Sequence, residues 1–206
     1  MTSLTFYTNP QSRGQIVRWM LEETGAPYDT VVLDYGTTMK APEYLAINPM
    51  GKVPAIKHGN IVVTEGAAIC AYLADQFPAS NLAPESQDPL RGMYYRWLFF
   101  GAGPLEMAVT AKLMNWEVPE GRSATVGFGD YGTTLDTLEM ALTPGPWICG
   151  DQFTAADVYV GAAIIWGMMF GTVEKRPLFE AYATRLQARP AAQRAQQIDA
   201  ALVADK

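Results

Sequence analysis

The apolar positions of this chain change their period part-way along. Leu4–Thr8 (LTFYT) alternates weakly and is rich in β-forming types, which predicts a strand. The stretch "NPQS" then turns the chain. Beyond it Ile16, Val17, Met20 and Leu21 share one stripe of a helix that Ser12 can cap and Gly25 ends, with Pro27 close behind. Tyr28–Leu33 reads as a second strand. A strand–helix–strand unit of this length is a crossover, so the two strands are expected to run parallel. A short helical piece follows near Pro42–Leu45. Strands at Val53–Lys57 and Ile61–Val63 flank a turn, "KHGN", and Glu65 opens a helix through Phe77 with Ile69, Tyr72 and Leu73 on its apolar face.

After Phe77 the pattern loosens. "PASNLAPESQDP" (Pro78–Pro89) is rich in proline, serine and asparagine and reads as a linker. Everything beyond has helical periodicity and no convincing strand. Helices are predicted near residues 89–117, 122–142, 154–172, 175–188 and 190–203. Gly101, Gly103 and Pro104 should kink the first, and Pro190 suits only the first turn of the last. The expected organisation is an α/β domain over residues 1–78, a linker at 79–88 and an all-α domain over 89–206.

Composition narrows the function. Of 206 residues 49% are hydrophobic and 17% charged, as in a globular chain, and the net charge is −6. Phosphate contacts need a basic face, and none is evident, which argues against nucleic acid. The two cysteines, Cys70 and Cys149, form no C-x-x-C and suggest buried thiols in a reducing cytosol. "MTSLTFYTNP" lacks the basic and apolar regions of a signal peptide. The longest apolar run, Val158–Gly171, is shorter than the roughly 18 residues of a membrane span. A cytoplasmic protein without a membrane segment is the expectation.

The candidate chemistry begins with Pro54. It stands inside "KVPAI", where a strand needs N–H groups it lacks. It is either trans at a sheet edge or cis. A cis Val53–Pro54 bond would leave the N–H and C=O of Val53 facing outward, available to a peptide-like ligand as an added strand. About ten residues on, "TEGAAICAYLAD" places Glu65 and Gly66 at a helix N-terminus. Free N–H groups there favour an anion, and Glu65 could take an amine. Together these residues describe a site for a small peptide-like molecule with an amino and a carboxylate end.

The order β–α–β, N-P-x-G-K-V-P-A-I, T-E-x-x-A-I-x-x-Y-L, a proline-rich linker and a helical half containing "WICGDQFTAADV" resembles a cytosolic glutathione transferase of bacterial type, over nearly the whole chain. The resemblance implies a thioredoxin-like N-terminal domain, an all-helical C-terminal domain, a homodimer and a role in detoxification. It implies glutathione as co-substrate and a small hydrophobic electrophile as the other. By the same resemblance Val53, before cis-Pro54, pairs with the cysteinyl backbone of glutathione. Glu65 and Gly66 hold its γ-glutamyl end, and Lys52 and Lys40 reach its glycyl carboxylate. In "FTAADV", Thr154 and Asp157 form a capping pair whose role is structural.

Two departures bear on activity. The family pattern has serine where this chain has Gly66, which removes a hydroxyl. A hydrogen bond to a charged carboxylate is worth about 1.5–3 kcal/mol, so weaker glutathione binding is expected. The thiolate-stabilising group is also open. The first loop, "YTNPQSRGQ", holds no cysteine, which argues against the cysteine subgroups. Ser12 at the helix start is the favoured donor and Tyr7 the alternative, with an arrangement of backbone groups, Asn9 and Arg13 as a third. His58, the only histidine, is expected as a solvated turn residue. The electrophile pocket is expected among Phe99, Phe100, Gly103, Met107, Trp116 and Trp166. Two rivals share the fold: a glutathione-dependent disulfide or peroxide reductase, and a binding module without turnover.

Overall fold

The computed structural model describes residues 3–204. Two compact units emerge. The first joins residues up to Leu82 with those from Ala188 onward, and the second is Ala83–Gln187.

In the first unit, β1 (Leu4–Thr8), α1 (Gly14–Thr24) and β2 (Asp29–Val32) form the expected crossover. A short α2 (Pro42–Leu45) leads to the hairpin of β3 (Ala55–His58) and β4 (Ile61–Thr64), and α3 (Gly66–Gln76) follows. The sheet order is β2-β1-β3-β4; β1 and β2 are parallel, and β3 is antiparallel to both neighbours. This mixed four-stranded topology is thioredoxin-like.

Alternation in β1 divides the sheet. Leu4, Phe6 and Thr8 are buried, and Phe6 meets the Arg18 guanidinium of α1. Tyr7 points the other way, into a cluster of Leu33, Met39, Tyr44 and Ala55 that also receives Val53. β3 begins at Ala55, two residues later than predicted, because the Val53–Pro54 bond is cis and the ladder starts only after the proline.

The last helix, α9 (Pro190–Ala204), starts at its proline as predicted but belongs to the first unit. It lies along α1, where Arg18 Nε donates to Asp199 Oδ1 at 3.2 Å and both groups are buried. Arg18 Nη1 also donates to Tyr28 Oη and Thr30 Oγ1. A bidentate Arg189–Glu23 pair and an Arg194–Glu22 pair fasten the same two elements. The sequence showed α9 as helix and nothing of these partners, whose sequence separations exceed 160 residues.

The second unit is helical: α4 (Leu90–Phe100), α5 (Glu106–Met114), α6 (Tyr131–Leu142), α7 (Ala155–Phe170) and α8 (Pro177–Gln187). The predicted helix over 89–117 is interrupted by a π-helical turn at Gly101–Leu105. Pro104 has no N–H to give an ordinary helical bond, and the wider turn absorbs the defect. The helix predicted from 122 starts only at Tyr131. Gly129 has φ of 64°, and Asp130 caps α6 by accepting from the Thr133 N–H at 2.8 Å.

α7 is buried over most of its length and packs tightly. A Cβ on Gly161 would stand 2.2 Å from Leu186 Cδ1, so α8 approaches only because glycine is there. The Thr154–Asp157 capping box is present, and Asp157 does more than cap. It accepts from the backbone N–H of Ile148 and Thr154 and from the Tyr182 hydroxyl, each at 2.8 Å.

Candidate functional site

The strand register assembles the site. Ala55 stands opposite Tyr7 on one side and opposite Thr64 on the other. One residue further along each strand lie Thr8, Pro54 and Glu65. The C-terminal ends of β1 and β4 and the N-terminal end of β3 therefore coincide, and three segments distant in sequence meet at one end of the sheet.

The middle segment is the loop before β3. Its shape comes from Asn48 and Tyr44. Asn48 Nδ2 and the Tyr44 hydroxyl both donate to the Lys52 carbonyl, at 2.8 and 2.6 Å, and Asn48 Oδ1 accepts from Met50 N–H. Burial pushes the Tyr44 phenol up to about 12, so it stays a donor. Lys40 Nζ donates to the carbonyls of Met50 and Gly51. Gly51 has φ of 57°, and a Cβ there would come within 2.8 Å of that ammonium. Lys40 and Lys52 thus flank one loop. Among the described residues, no loop hydrogen bond takes up the N–H or C=O of Val53. The sequence reading missed Asn48 and Tyr44; an asparagine starting N-P-x-G was the available signal, because asparagine closes such turns with its own side chain.

The second segment opens α3. Glu65 occupies the N-cap position with φ of 66° and ψ of 116°, a region that L-residues with side chains rarely adopt. Its side chain is exposed, and its carboxylate accepts from the neighbouring Thr64 hydroxyl at 3.2 Å. Among the described residues no side chain caps α3. The N–H groups of its first turn, Gly66 included, point into an electropositive helix end.

The third segment runs from β1 into α1. Asn9 is buried; its Nδ2 donates to the Leu33 carbonyl at 2.7 Å and its Oδ1 accepts from Gln11 N–H at 2.9 Å. Ser12 Oγ donates to the Asn9 carbonyl at 2.6 Å and accepts from Gly14 N–H at 2.9 Å. Ser12 is thus half-buried at the helix start, with Arg13 exposed at the N-cap position beside it. Tyr7 sits deeper, its ring 5.6 Å from that of Tyr44.

Other candidates lie elsewhere. His58 ends β3, half-buried, with Nδ1 3.0 Å from the Tyr72 hydroxyl and its ring stacked on Phe77. The solvated turn residue expected from the sequence is therefore a packed one, because its partners come from α3 and the residue after it. Both thiols are buried and each is pushed up to about 12, chiefly by that burial, which leaves them inert near neutral pH. In the helical unit Phe99, Met107 and Trp116 are exposed, while Phe100, Gly103 and Trp166 are half-buried. Among the described residues no helix is long and apolar enough to cross a membrane.

A cis-proline loop, a helix N-terminus with an acidic residue before it, and a βαβ–ββα sheet followed by helices make a thioredoxin-like domain and an all-α domain. Comparison with known proteins names the family. The glutathione S-transferase N-terminal domain model matches residues 12–76, and the C-terminal domain model matches residues 124–167. Glutathione S-transferase GstA of Escherichia coli O157:H7 is 32% identical over 149 residues, covering 71% of this chain and 73% of that protein. The crystal structure of a glutathione transferase from Methylococcus capsulatus superposes with a TM-score of 0.79 at 30% identity, covering 96% of this chain and 98% of the other. A sphingomonad glutathione S-transferase complexed with glutathione superposes with a TM-score of 0.78 at 27% identity, over 95% and 98% of the two chains. The chain belongs to the glutathione S-transferase family, a family of transferases.

Proposed function

We propose that this protein binds glutathione at the convergent end of the sheet and transfers its thiolate to a small apolar electrophile. The observation that supports the proposal is the register, which sets the end of β1 beside the starts of β3 and α3, so that Val53–Pro54 and Glu65–Gly66 adjoin the strand from which the Ser12 loop departs. In this reading the unused N–H and C=O of Val53 pair with the cysteinyl backbone, as an added strand would. Glu65 takes the γ-glutamyl ammonium, and the Gly66 N–H at the helix end takes the adjoining carboxylate. Lys52 and Lys40, on either side of one loop, serve the glycyl carboxylate.

Ser12 supplies the hydroxyl that favours the thiolate, with Tyr7 as the alternative donor. The sulfur forms a bond to the electrophilic carbon, the leaving group departs with its electron pair, and the thiol proton has already passed to solvent. Positioning and thiolate stabilisation are the catalytic contributions. A homodimer acting in the cytoplasm in detoxification completes the proposal, on the strength of the family resemblance.

The test is conjugation of glutathione to a halogenated nitroaromatic. Ser12→Ala should lower kcat by about 10- to 150-fold, the worth of one hydrogen bond to a charged group. Full activity in a Ser12→Ala/Tyr7→Phe double variant would exclude both side chains as the activator. Turnover of a glutathionyl disulfide, with none of the aromatic halide, would select the reductase instead.

A further inference from the structure

The Ser12 hydroxyl has one hydrogen, and in this structure that hydrogen goes to the Asn9 carbonyl at 2.6 Å. The hydroxyl is also an acceptor, of Gly14 N–H at 2.9 Å. Two backbone groups therefore hold Oγ in place, and the carbonyl of Asn9 sets where its proton points. To serve a thiolate, the hydroxyl must turn that proton from Asn9 to the sulfur. The position and the ease of that turn depend on where the Asn9 carbonyl stands.

That carbonyl is held by the side chain of its own residue. Asn9 is 4% exposed, so its amide is not a surface group available to a ligand. Its Nδ2 reaches across to the Leu33 carbonyl, just past the end of β2, at 2.7 Å. Its Oδ1 takes the Gln11 N–H at 2.9 Å. These bonds continue the β1–β2 pairing by one step after the Leu33 N–H to Thr8 carbonyl bond, at 2.8 Å. The other end of the loop is equally confined. A Cβ on Gly14 would stand 2.0 Å from Thr8 Oγ1 and 3.0 Å from Ser12 Oγ, so α1 begins pressed against β1. Gln15 Nε2 donates to the Pro10 carbonyl and closes the loop from the helix side.

We infer that Asn9 is a positioning residue for thiol activation. It acts through Ser12, by fixing the loop and the carbonyl that hold Ser12 Oγ in place, and it does not touch glutathione. This revises the direct ligand role that the sequence suggested for Asn9, and it rests on the proposed use of Ser12 as thiolate donor.

The experiment measures the apparent pKa of bound glutathione's thiol, from the ultraviolet absorbance of the thiolate and from the pH profile of kcat. Four proteins are compared, all checked for folding by circular dichroism: the parent, Asn9→Ala, Ser12→Ala and the double variant. Asn9→Ser, which is neutral, can still accept from the Gln11 N–H and cannot reach Leu33, provides a second variant should Asn9→Ala not fold. Asn9→Ala should raise the thiol pKa by about one unit and lower kcat below that pKa about tenfold, with KM for glutathione little changed. Asn9→Ser should shift it in the same direction. In the Ser12→Ala background the Asn9 change should add nothing, because the two act as one unit. An unchanged thiol pKa in a folded Asn9 variant, or a full additional effect on top of Ser12→Ala, would overturn the positioning role while leaving Ser12 as donor. A Ser12→Ala variant whose thiol pKa matches the parent's would overturn Ser12 as donor and, with it, this role for Asn9.

Discussion

Replacing Glu65 by glycine removes a side chain from a backbone conformation that only glycine adopts without cost. Glu65 has φ of 66° and ψ of 116°, outside even the small left-handed region. Holding an L-residue there costs about 1–3 kcal/mol. Glycine relieves that strain but loses more backbone entropy on folding, about 0.5–1 kcal/mol. The bond from the Thr64 hydroxyl is exposed, and glycine remains an acceptable N-cap, so neither changes the balance much. Glu65→Gly should therefore stabilise the protein by about 0.5–2 kcal/mol. For a chain of this size that raises the melting temperature by about 1–8 °C. Glu65→Ala is the reference, since it loses the same carboxylate and keeps the strain. The assay is paired thermal and urea unfolding of the parent and both variants. A glycine variant that melts at or below the alanine variant would refute the strain argument. A strained acidic residue kept on an exposed helix start, at some cost in stability, is what a ligand-holding role for Glu65 would require.

Two further predictions follow from the helical unit. Asp157→Ala would strand the Ile148 and Thr154 N–H groups and the Tyr182 hydroxyl, and with each buried orphan worth about 1–3 kcal/mol it should cost at least about 3 kcal/mol in urea unfolding; a loss under about 1 kcal/mol would show that these groups find other partners. Asp130 is held below its ordinary 3.8 chiefly by the Thr133 hydroxyl, and its folded state disfavours the proton. Its contribution is therefore full above the ordinary carboxylate range and is lost as pH falls through its lower folded value. Asp130→Asn keeps the capping acceptor without the charge, so the melting-temperature gap in favour of the parent should close on acidification, and a gap independent of pH would contradict the assignment.

The parts of the fold that were legible in the sequence were those fixed by local pattern. Leu4–Thr8 was read to the residue because alternation, β-forming types and a following Asn-Pro coincide there. Gly25 ends α1 with positive φ, as local turn chemistry demands. The errors fall where a distant partner decides. His58 was read as solvated because Tyr72 and Phe77 lie on another element. α6 starts later than its apolar stripe suggests because Gly127 and Gly129 disfavour helix and Asp130, accepting from the Thr133 N–H, sets the cap. At the site, Glu65, Gly66 and Val53–Pro54 were visible as motifs. Asn9 was visible only as a polar residue in a loop, since its bond to Leu33 spans 24 positions. Helix periodicity carries no information on such bonds.

The most direct measurement is a calorimetric titration of glutathione into the parent protein and Glu65→Ala. The account predicts saturable, one-site binding by the parent, weakened by the missing Gly66 hydroxyl, and a further loss of about 10- to 150-fold in the variant. No heat of binding up to several millimolar glutathione, or equal affinity in the two proteins, would contradict the assignment of this end of the sheet as the glutathione site.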